Sequence, residues 1–131
     1  MAEQQASGPH GALWVLDALA ERAKDASSRV VGGAAGLTLS ETAVALEHVT
    51  RALEDLHTVV GSLNGRVGQI QEGEMTERRG DAGLGVSGVT ALMRLDDATV
   101  HLDHGGGALS AAHHLVGLGL GVLVQVERGE C

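Results

Sequence analysis

Eight apolar residues, Leu46, Val49, Leu53, Leu56, Val60, Leu63, Val67 and Ile70, follow one another at alternating spacings of three and four. A row of that period winds along one side of an α-helix and forms the a/d seam of a heptad pattern. Leu, Val and Ile fill about a quarter of the chain, so eight specified positions are all apolar by chance only on the order of once in 10⁵ placements. A strand has period two and has no use for this pattern.

The segment is also bounded as a helix should be. Thr38 and Glu41 form a T-x-x-E capping box behind the glycine-rich stretch 32–36. The predicted helix covers about 39–72 and is roughly 50 Å long at 1.5 Å per residue. With Leu46 at position a, the g positions Ala45, Ala52 and Val59 are apolar, while the e positions are Thr50, His57, Asn64 and Gln71. The e/g charge pairs of a two-stranded zipper are missing, and the wide stripe suits a three- or four-helix bundle.

A second seam runs through Leu92, Leu95, Thr99, Leu102, Gly106, Leu109, His113, Val116, Leu120 and Leu123. Its phase survives the triplet Gly105, Gly106 and Gly107, which favours one helix over about 87–126; a break at 105–107 is the alternative. Within it, the glycine-alternating stretch 115–126 reads as helix, with strand as the other possibility. The polar, glycine-punctuated residues 73–85 read as the connecting loop. Upstream, Leu13, Leu16, Ala20, Ala23 and Val30 mark a shorter amphipathic helix over about 9–31, opened by Ser7 and Pro9. The expected fold is therefore all-α and a single domain over 1–131. It consists of a long, coiled-coil-like antiparallel hairpin plus a shorter N-terminal helix, a three-helix protomer in an oligomeric bundle.

Composition removes several function classes. Phe and Tyr are absent and Trp14 is the sole aromatic residue, so there is little to stack a base or flavin and no phenol for acid–base work. A net charge of −8 has the wrong sign for a phosphate backbone, and no nucleic-acid partner is expected. The same charge disfavours anionic lipid. The lone cysteine, Cys131, cannot close an intramolecular disulfide. Residues 1–12 lack the cationic start and apolar stretch of a secretory signal, which makes the cytoplasm the expected compartment. Residue usage is that of a GC-rich bacterial genome, with Lys24, Asn64 and Ile70 each occurring once.

Three patterns carry chemistry worth weighing. Asp97, His101 and His104 recur at i, i+4 and i+7, a spacing that lines up metal ligands on one helix face, although no H-E-x-x-H motif or fourth ligand accompanies them, and no bound cofactor is expected. His113 stands where the seam calls for Leu; with His101, His104 and His114 it motivates a metal- or pH-responsive regulator. The apolar run 115–126 motivates a membrane-associated accessory role, though it is shorter than a bilayer span. No G-x-S-x-G elbow or phosphate-binding loop occurs, so neither an enzyme nor a small-molecule substrate is expected. The leading expectation is a non-enzymatic interaction or oligomerisation module. Its interface would be the first seam together with Leu92, Leu95, Leu102, Leu109, Val116, Leu120 and Leu123, and its partner would be itself or another helical protein.

Overall fold

The structure, a computed structural model, describes residues 9–80 and 86–129, all but a few of them helical. Among the described residues three α-helices follow one another, α1 over Pro9–Gly33, α2 over Leu39–Gly80 and α3 over Val86–Glu127, with a 3-10 turn, Ala34–Gly36, after α1. Among the described residues there is no strand, so 115–126 is helix. The chain divides into two compact units, Met1–Thr42 and Ala43–Cys131.

The first unit contains α1 and the start of α2. Pro9 occupies the first helical position, where its missing N–H costs nothing; Ser7 lies outside the described residues. Asp25 and Arg29, one turn apart, pair at 3.0 Å. The helix stops at the glycines, and Leu37 is extended (φ −78°, ψ 137°), which re-aims the chain for a new start. There the capping box forms as expected. The Thr38 N–H donates to Glu41 Oε1 and the Glu41 N–H donates to Thr38 Oγ1, both at 3.1 Å, so two otherwise orphaned amide groups are satisfied reciprocally.

The second unit is the hairpin of α2 and α3. Contacts along it run in opposite directions: Glu54 lies beside His113, His57 meets Gly106, and Ile70 and Glu74 border Ala91, Leu92 and Leu95. Partner numbers on α3 fall as those on α2 rise, which is the register of an antiparallel pair.

One boundary differs from the sequence reading and one agrees with the reading it favoured. The residues assigned to a loop from 73 onward are helical as far as Gly80. One interior glycine, Gly73, costs only about 1 kcal/mol relative to Ala, and the Glu, Met and Arg around it are good helix formers. Glu74, half-buried beside Ala91 and Leu95, extends the hairpin contact past residue 72. The remainder of that loop, 81–85, lies outside the described residues, as does Cys131. At the other boundary α3 is continuous through Gly105, Gly106 and Gly107, so the helix is not broken there.

Candidate functional site

The hairpin surface is where the sequence-predicted residues can be placed. On α3 the expected seam is realised in full. All ten positions from Leu92 to Leu123, including Leu95, Leu102, Leu109, Val116 and Leu120, are half-buried or buried, and Gly106 is buried. The same helix keeps Leu115, Leu118, Val122 and Val126 exposed on its other sides.

On α2 the observed stripe is rotated relative to the predicted one. Leu46, Leu53, Leu56, Val60 and Val67 are half-buried, whereas Val49, Leu63 and Ile70 are 45, 49 and 41% exposed. Ile70 still borders Leu92 and Leu95, but Val49 and Leu63 give way towards α3 to the e positions: Thr50, Asn64 and Gln71 are half-buried, and His57 reaches across the pair. The row facing α3 is thus a/e in place of a/d, a turn of about 50° around the helix axis at 100° per residue.

The polar residues brought inward have specific fates. Thr50 Oγ1 donates to the Leu46 carbonyl at 2.8 Å, a bond within its own helix. His57 Nδ1 stands 2.8 Å from the Gly106 carbonyl oxygen. A carbonyl only accepts, so Nδ1 carries the proton in this contact and the neutral ring leaves Nε2 as its acceptor. Gly106 packs against the His57 ring, with space beside it for no more than ordinary van der Waals contact. A Cβ built there would lie 3.9 Å from the imidazole and from Val60 Cγ1. Asn64 Oδ1 is buried without a hydrogen-bond partner. None of these three roles was assigned from sequence; the pairing of a seam glycine with an e-position histidine was the available signal.

His113, on the seam, is a partly exposed imidazole. Its side chain is 39% exposed, and Nε2 lies 4.0 Å from Glu54 Oε2. His101, His104, His114 and Asp97 are all exposed on α3. Among the described residues no group of three or more His, Cys, Asp or Glu side chains is placed to hold a metal ion, so Asp97, His101 and His104 are not gathered into a site. The Thr38 backbone N–H, and after it the Thr38 hydroxyl, holds the Glu41 carboxyl below its usual 4.5, with a small opposing contribution from desolvation.

Two apolar features remain. A shallow groove of about 450 Å³, lined by Ile70, Leu92 and Leu95 and bordered by Glu74 and Arg94, opens along the hairpin. The helix over Gly88–Glu127 is long and apolar enough to cross a membrane, and the stretch responsible is not buried in the chain. The sequence matches no protein-family model, no curated protein and no solved structure.

Proposed function

We propose that this chain is a non-enzymatic helical interaction module that works through the heptad rows of α2 and α3. The observation that carries the reading is an incomplete core. Two 42-residue helices pair over a regular seam, yet Ala43, at 6% exposure, is the sole buried hydrophobic residue among the described residues. Burial contributes roughly 25 cal/mol per Å² of apolar surface, and half-buried Leu and Val rows leave much of that contribution unrealised. Helices of this kind are completed by another helical surface. The partner is either a further copy of the chain or a different helical protein.

Leu53 sits on the row facing α3, where a carboxylate would be desolvated without a cation beside it. Leu53→Asp is expected to dissociate or unfold the protein. Light-scattering mass and thermal melting followed by circular dichroism measure both effects. A variant with the wild-type mass and melting temperature would refute the module.

A second reading, association with a membrane through α3, draws on the length and apolarity of that helix. Flotation of the full chain with lipid vesicles tests it, and a protein left entirely in the dense fraction rules it out.

A further inference from the structure

The rotation of α2 that brings Thr50, His57, Asn64 and Gln71 towards α3 turns its d and g rows out to one side of the hairpin. Reversing a helix keeps its handedness. With Leu92 at position a of α3, the rows that flank the pair on that side are therefore d and g on α2, and g (91, 98, 105, 112, 119, 126) and c (94, 101, 108, 115, 122) on α3. Along 45–73 of α2 the d and g rows contain no Asp or Glu, and along 91–126 of α3 the c and g rows contain none either. All the acidic residues of those stretches lie on other rows: Glu47, Glu54, Asp55 and Glu72 on α2, and Asp96, Asp97 and Asp103 on α3. For a chain of net charge −8 this is a segregated distribution. The acid-free flank also carries exposed large apolar side chains, Val49 and Leu63 on α2 and Leu115, Val122 and Val126 on α3, although others such as Met93, Val100 and Leu118 lie on different rows.

From this juxtaposition we infer that the flank is the docking face for a second copy of the chain, two hairpins closing a four-helix bundle. The inference rests on the interaction-module reading and names its partner. Charge is the first reason for choosing a copy. Two molecules of the same negative sign can approach face to face only where neither presents carboxylates, and this side of the hairpin meets that condition. Area is the second. The shared length of roughly 26 residues is about 39 Å, and two helices side by side span about 20 Å, giving about 800 Å² per copy. That is one partner's share of a standard stable interface. Self-complementarity is the third, because a two-fold axis sets the same apolar rows against each other and requires no feature the chain lacks.

The test uses the full chain and sedimentation equilibrium over about 1–100 µM. The wild type should have twice the mass of the 13.4 kDa chain. Leu63→Glu and Leu115→Glu, one on each helix of the flank, should raise the dissociation constant by more than about 100-fold while circular dichroism shows the hairpin still helical. Val100→Glu, on an exposed row of α3 outside the flank, should leave the mass unchanged. If the glutamates unfold the chain, Leu63→Ala and Leu115→Ala replace them, and each should weaken the dimer at least tenfold. A wild type that stays monomeric overturns the inference, whether its flank is covered by its own α1 or by phosphatidylcholine vesicles with which it floats. So does a dimer that survives both flank variants. In either case a disruptive Leu53→Asp leaves the module itself standing, because Leu53 lies between α2 and α3 and not on the flank.

Discussion

Thr38 and Glu41 are the residues whose local chemistry is most completely determined. Each supplies an acceptor for the other's backbone N–H at the first turn of α2. Thr38→Ala removes one acceptor and should lower stability by about 1 kcal/mol, read as a drop of several degrees in melting temperature. Glu41 gives the contact a pH signature. Its folded-state titration is lowered, so its contribution is present above its unfolded value and disappears as pH falls through the folded one. Melting the wild type and Glu41→Gln side by side between pH 7 and pH 2.5 should give curves that converge at the acid end and separate above about pH 4.5, with the wild type the more stable. Parallel curves would mean that the carboxylate does not hold the cap. Asn64 is the opposite case, a buried oxygen with nothing to accept from. Asn64→Leu should stabilise the hairpin by about 1 kcal/mol, because a desolvated polar group is replaced by apolar volume on the same row. A lower melting temperature in that variant would show that the amide has a partner after all.

At the level of elements, α3 was readable from the sequence and α2 was readable only in part. The seam of α3 from Leu92 to Leu123 faces its partner along its whole length, and its phase could be followed through the glycine triplet because helix geometry does not depend on side chains there. For α2 the apolar residues were identified, but the side that faces α3 was not. An apolar stripe that includes a, d and g is more than 100° wide, and a single neighbour covers only part of it. Which part is decided by the surface opposite. The Gly106 carbonyl gives His57 Nδ1 an acceptor on the e side of α2, while Val49 and Leu63 stay outside. The extension of α2 to Gly80 escaped notice for a related reason, since a single glycine at 73 is a weak stop beside a contact that continues to Glu74. The glycines of α3 also yield a prediction. A Cβ at Gly105 or Gly107 would meet nothing within 4 Å. Gly105→Ala and Gly107→Ala should therefore each stabilise the helix by about 1 kcal/mol, and Gly107→Ala, which lies outside the flank rows, should leave the oligomer mass unchanged. Thermal melting and light scattering of the single and double variants check both halves of that statement.

For the whole molecule, the excess of seventeen acidic over nine basic residues makes the salt response diagnostic. Joining two copies doubles the net charge carried by one particle, and the repulsion among carboxylates outside the interface opposes assembly over distances comparable with the screening length, about 30 Å at 10 mM salt and about 8 Å at 150 mM. An apolar, acid-free flank contributes no ion pairs for salt to weaken. Raising sodium chloride from about 10 to 300 mM should therefore tighten self-association several-fold, measured as a fall in the dissociation constant by sedimentation equilibrium. Most of the change should occur below about 150 mM, where the screening length shrinks fastest. An interface built on complementary charges, such as Arg66 or Arg94 against carboxylates of the second copy, would loosen over the same range. The sign of the slope thus separates burial of Leu and Val rows from charge pairing.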